Sequence, residues 1–124
     1  MNLLLDTHIL LWWLSGNKRL PSAARKAIAD SARAYVSAAT VWEIAIKVAL
    51  GKLEFRGDMA QQLALNNLLP LAVTLLHALT AGALPMHHSD PFDRMIIAQA
   101  KIESLTLLTH DARLRDYDVP VLVV

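Results

Sequence analysis

The sequence predicts an α/β fold, a parallel sheet with helices on both of its faces. Three observations predict it. The short runs at residues 1–5, 34–37, 105–108 and 121–124 are almost continuously apolar, as strands buried on both faces are. Segments with helical spacing separate them. No repeat, low-complexity tract or linker interrupts the alternation, which fits a single domain over residues 1–124.

Taken in order, residues 1–5 form the first strand, ended by Asp6. Residues 7–14 hold bulky aliphatics and two tryptophans and fit a short helix, broken by Ser15, Gly16 and Asn17. Residues 21–32 open with proline and are rich in alanine, a second helix, and 34–37 is the second strand. Over 38–50 the spacing puts Val41, Ile44, Ala45 and Val48 on one face of a helix that Gly51 ends. A further helix is expected over 58–69, stopped before Pro70, then a strand at 71–73, a short helix at 75–81 and a loop at 84–89.

Residues 91–103 form the next helix, and its start is the best specified in the chain. Asp90 suits the N-cap, Pro91 the first helical position, and Asp93 the positive end of the helix dipole. A buried strand at 105–108, a helical turn at 112–117 and a last strand at 121–124 complete the chain.

With 55% hydrophobic and 19% charged residues, 124 residues can bury one compact core. No apolar run is long enough to span a bilayer, because His8 interrupts the N-terminal one. No basic region precedes that run, so no signal peptide is expected. The absence of cysteine excludes a disulfide framework and thiolate metal sites, which suits the cytoplasm. A net charge of +1 is not the footprint of a protein that binds nucleic acid by charge alone, though a nucleic-acid enzyme with a local acidic site would average near neutral.

Ligands of open parallel sheets bind beyond the carboxyl ends of the strands. Asp6 follows the first strand, and Glu43 lies in the helix after Ser37. Thr109 and Asp111 follow the strand at 105–108, and Asp93 opens the helix leading into it. Each acid has a structural role open to it, as a cap or, for Glu43, a partner of Lys47 four residues on. Their shared edge instead suggests one pocket, and converging carboxylates repel unless a cation sits among them. Oxygen donors without cysteine select Mg²⁺ or Mn²⁺, the ions of phosphoryl chemistry.

The stretches LLLDTHILLWW, SAATVWEIAIKVALGKL, HSDPFDRMIIAQA and LTLLTHDARLRDY occur in the order of a PIN-domain ribonuclease. The chain resembles most the VapC-like toxins of type II toxin–antitoxin pairs, with the weakest coverage between Phe55 and Met86. The resemblance implies a three-layer α/β/α sandwich and a metal site at Asp6, Glu43, Asp93 and Asp111. It implies supporting hydroxyls at Thr7, Ser37 and Thr109, and leaves Asp90 to the cap. It also implies cleavage of single-stranded or looped RNA with Mg²⁺ or Mn²⁺, by in-line attack of water that leaves a 5′-phosphate and a 3′-hydroxyl. A homodimer and an inhibiting antitoxin are the implied partners.

Lys47 and Arg94 lie close in sequence to Glu43 and Asp93, so each is a candidate phosphate contact or a structural ion pair. His87 and His88 are adjacent and expected to point apart, with His88 ordering its loop rather than binding metal. His8, His77 and His110 are expected at the surface or in packing, and Trp12, Trp13 and Trp42 in the core or a dimer interface rather than under bases. Two rivals remain: a catalytically silent PIN scaffold that binds RNA or protein, and a metal phosphatase. The second would need an acid–x–acid pattern after the first strand, where Asp6 is followed by Thr7 and His8.

Overall fold

The computed structural model describes residues 1–124. Its centre is a five-stranded parallel sheet of β1 (Asn2–Leu5), β2 (Arg33–Ser37), β3 (Leu68–Leu71), β4 (Thr106–Thr109) and β5 (Val121–Val123), in the order β3-β2-β1-β4-β5. The helices are α1 (Thr7–Ser15), α2 (Ser22–Asp30), α3 (Ala38–Ala49), α4 (Met59–Leu65), α5 (Leu75–Ala83) and α6 (Pro91–Glu103), with a 3-10 turn at Ala112–Asp116. The expected α/β class and three layers are observed.

The apolar runs are explained by the two faces of the sheet. Leu3 and Leu5 of β1 point into a core shared with Ile9, Leu10, Leu20, Ile28, Val36 and Ile44. Leu4, between them, points into a second core with Ile96, Ile97, Leu107 and Leu114. Successive strand residues face opposite ways, so both must be apolar when both faces are covered. Burying each such leucine contributes roughly 1.5–3 kcal/mol.

The helix ends follow their capping residues. Gly16 closes α1 at φ 62°, a left-handed conformation that glycine adopts without strain. Asp90 accepts the N–H groups of Phe92 and Asp93 at the start of α6, as expected of the cap. Thr74 and His77 form a reciprocal cap on α5, and His77 is buried.

Two expectations need correction. The helix expected over 58–69 ends at Leu65, because Asn66 caps it and Asn67 turns the chain at φ 56°. The third strand is then Leu68–Leu71, running through Pro70 rather than starting after it. β3 is the sheet edge, where a missing N–H leaves no ladder bond unmade.

The face of α3 also differs. It buries Ala39, Thr40, Glu43 and Ile44, while Ala45 and Val48 are exposed. The helix is turned so that Glu43 faces the carboxyl edge of the sheet. Trp42 is consequently 64% exposed, packed edge-to-face on Phe92 at 5.6 Å rather than placed in the core. Trp12 and Trp13 do pack against the larger core.

Candidate active site

A cavity of about 450 Å³ opens at the carboxyl edge of the sheet. Asp6, Glu43, Asp93 and Asp111 all line it, with Lys47, Arg113 and Asp90. Asp6 stands directly after β1, and its own N–H continues the ladder to Leu108 at 2.9 Å. Its side chain is buried and doubly held. One oxygen accepts the Thr7 N–H at 2.7 Å, the other the Thr109 hydroxyl at 2.6 Å. The Thr7 hydroxyl donates to Glu43 Oε1 at 2.6 Å, and Lys47 Nζ lies 2.7 Å from Glu43 Oε2. Thr109 Oγ1 in turn accepts the Asp111 N–H at 3.0 Å. Thr7 and Thr109 thus tie three acids from three elements into one network.

Ser37 does something else. Its hydroxyl accepts the Ala39 N–H at 3.0 Å, capping α3, and it makes no hydrogen bond to an acid. Its effect on the site is to start the helix that carries Glu43. Asp111 caps the 3-10 turn, and its carboxylate is gripped by the forked guanidinium of Arg113, with Nη2 at 2.8 Å. That bond holds Asp111 below the usual carboxylate range.

Asp6 and Asp93 are displaced the other way. Burial raises Asp6, helped by the Glu43 charge and opposed by the bonds from Thr109 and Thr7. Asp93 is pushed up to about 6 by burial and then by the charge of Asp6, against its bond with His88. Excess negative charge in a half-closed pocket is the condition a bound cation relieves. The ligand atoms of His88, Asp93 and Asp111 lie within 4.8 Å of one another. Asp6 and Glu43 stand outside that close set, with their oxygens bonded to Thr7, Thr109 and Lys47. The carboxylate oxygens that line the cavity, in a chain without cysteine, suit a hard divalent ion.

The shift of Asp93 gives a stability prediction for the metal-free protein. Between pH about 4 and about 6 the folded carboxyl keeps a proton that the unfolded chain, at 3.8, releases. The folded state binds more protons there, so this contribution is present at low pH and lost as pH rises through 6. It amounts to at most about 3 kcal/mol. Urea titrations in EDTA should show Asp93→Asn gaining stability relative to the parent between pH 4 and 7. Equal pH dependence in the two proteins would contradict the burial of Asp93.

The family model for the PIN domain matches residues 3–120. The chain belongs to the PIN-domain family. It is 33% identical over 125 aligned residues to Ribonuclease VapC22 of Mycobacterium tuberculosis, covering 94% of this chain and 92% of that one. Its fold is similar to that in the crystal structure of VapBC2 from Rickettsia felis bound to a promoter DNA fragment, with TM-score 0.70 and 14% identity over 100% of this chain and 99% of the other. A toxin–antitoxin complex from Klebsiella pneumoniae matches with TM-score 0.69 and 21% identity, over 97% and 95% of the two chains.

Within this PIN domain, Arg94 is not where sequence proximity to Asp93 suggested. It is buried, does not line the cavity and makes no ion pair with Asp93. Its guanidinium donates to the carbonyls of Ala81, Leu84 and Pro85 at 2.9–3.0 Å, and more weakly to His88 and Gly82. It fastens the end of α5 and the following loop onto α6. The Tyr117 hydroxyl holds the same loop, donating to Pro85 at 2.9 Å.

The loop delivers His88, whose Nε2 lies 2.6 Å from Asp93 Oδ2. His87 points the other way, edge-on to Tyr117 at 5.1 Å, so the pair diverges as expected. Lys47 does line the cavity, paired with Glu43. Sequence reading missed Arg113, although its position two residues after Asp111 at a turn was a usable signal. It also missed the contact of His88 with Asp93.

Proposed function

We propose that this PIN domain is a metal-dependent endoribonuclease, the toxin of a type II toxin–antitoxin pair. The observation that carries this is the convergence of Asp6, Glu43, Asp93 and Asp111 on one cavity, in a chain 33% identical to a protein named a ribonuclease. Asp6, Glu43 and Asp93 would hold a Mg²⁺ or Mn²⁺ ion, with Asp111 closing the site through water or at a weaker second position. When bound, the ion lowers the pKa of coordinated water and neutralises charge developing on the phosphate.

The chain's own groups do the rest. Thr7 and Thr109 fix the carboxylates that would otherwise swing apart under mutual repulsion. Lys47, at the wall beside Glu43, offers a cation to a phosphate oxygen. Attack of water at phosphorus breaks the bond to the 3′ oxygen, leaving a 3′-hydroxyl and a 5′-phosphate.

The partners are an RNA, a cognate antitoxin and a second copy of the chain. The outer face of α5 leaves Leu75 77%, Leu76 58% and Leu79 64% exposed, an apolar strip suited to a homodimer. No helix is long and apolar enough to cross a membrane. The test is purified protein with labelled single-stranded RNA, and with a chromogenic phosphate ester in parallel. RNA cleavage that EDTA abolishes and Mn²⁺ restores, with the ester untouched, is the expected result. Ester hydrolysis without RNA cleavage, or RNA cleavage indifferent to EDTA, would overturn it.

A further inference from the structure

The mouth of the carboxylate cavity is aromatic. Trp12 lies one turn after His8 on α1, and the two rings are 5.8 Å apart, tilted at 34°. His110, just past β4, meets the indole edge-on at 5.5 Å and 71°. All three line the cavity that holds the acids. His8 and Trp12 also line a second cavity of about 570 Å³, so the two spaces meet at this aromatic group. The second wall carries Phe55, Arg19 and Arg56, with Glu54 as its one acid. Trp12 is half-buried: it packs on the core and still borders both cavities.

Each part suits a nucleotide strand. A flat aromatic surface takes a base of any sequence by stacking. Guanidinium groups take a phosphate. His8 and Trp12 line both cavities, the one with the acids and the one with the two arginines, the order that a chain of phosphates and bases requires. An apolar peptide would fill the aliphatic part of the second cavity but would have no use for the arginines or for the opening onto the acids.

We propose that Trp12, flanked by His8 and His110, is the stacking platform for the nucleobase beside the scissile phosphate, and that Arg19 and Arg56 receive the phosphate beyond it. The inference rests on the ribonuclease reading and adds a subsite to it. It gives a stacking role to Trp12, which the sequence placed in the core or a dimer interface rather than under bases. Because stacking tolerates any base, this subsite strengthens binding without selecting a sequence.

The test compares the wild-type chain with Trp12→Ala and Trp12→Phe on a single-stranded RNA oligonucleotide. Trp12→Ala should raise KM by about tenfold or more and leave kcat within about threefold, while Trp12→Phe stays close to wild type. An abasic nucleotide beside the cut should weaken wild type and leave Trp12→Ala unchanged. Binding is read separately by anisotropy of the same labelled oligonucleotide in EDTA, where the ratio between variants should persist. Cleavage by no variant, with that binding ratio intact, would count against the ribonuclease reading and for the platform. Equal KM and equal binding in wild type and Trp12→Ala would overturn the platform. So would an abasic loss of the same size in both, or a Trp12→Ala protein that binds RNA normally and no longer binds its antitoxin.

Discussion

Asp6→Asn lowers RNA cleavage by at least about a thousandfold while the protein stays folded. The size follows from position. Asp6 is, with Glu43, one of the two buried acids of the cavity, and it is fixed by the ladder bond of its own N–H and by Thr7 and Thr109. Asparagine keeps the shape and one acceptor but loses the charge that a divalent ion would meet. Stability should change little, within about 1 kcal/mol, because burial already works against the charged form of Asp6. Cleavage rates and urea midpoints measured on the same preparation decide it. A variant that cuts at the wild-type rate would remove Asp6 from the metal site. One that fails to fold would make it a structural residue.

Arg94→Ala destabilises the protein by about 3–5 kcal/mol, a large share of the stability of a small domain. The guanidinium serves five carbonyl oxygens at once, and alanine leaves those in the interior without a donor. Arg94→Lys keeps the charge but offers at most three donors in a different geometry, so roughly half of that loss should remain. Both variants should also loosen the loop that brings His88 to Asp93. The comparison with Lys47→Ala is informative. Lys47 is half exposed and bonded to one partner, so its removal should cost little stability and act mainly on cleavage. If Arg94 variants instead kept their stability and lost only cleavage, the residue would be a phosphate contact after all.

Arg94 and the acids also illustrate what can be read from a sequence. Asp6 and Asp111 stood out because Asp6 follows an apolar run directly and Asp111 follows one within three residues, and a parallel sheet presents such positions at one edge. Asp90 was assigned to the cap from its place before Pro91, and its carboxylate does cap α6. The partners of Arg94, in contrast, are main-chain carbonyls, which every residue has and no motif marks. Pro70 misled for a related reason. Proline excludes a central strand, and whether a strand is central depends on a sheet order that local composition does not encode. The face of α3 was misjudged because hydrophobic periodicity places apolar residues inward, whereas here the inward face is set by Glu43. Ser37 was expected to support the acids, but its hydroxyl caps a helix and bonds to none of them, a distinction only coordinates make.

The central claim is that carboxylates from separate elements share one divalent ion at the carboxyl edge of the sheet. A crystal soaked in Mn²⁺, with the ion located by anomalous scattering, tests this most directly. The ion is expected against the carboxylates of Asp6 and Asp93, at the roughly 2.0–2.3 Å usual for oxygen ligands, with Glu43 completing the site. An ion held by His88 and Asp111 with Asp6 left on Thr109, or no ordered ion in the cavity, would contradict it.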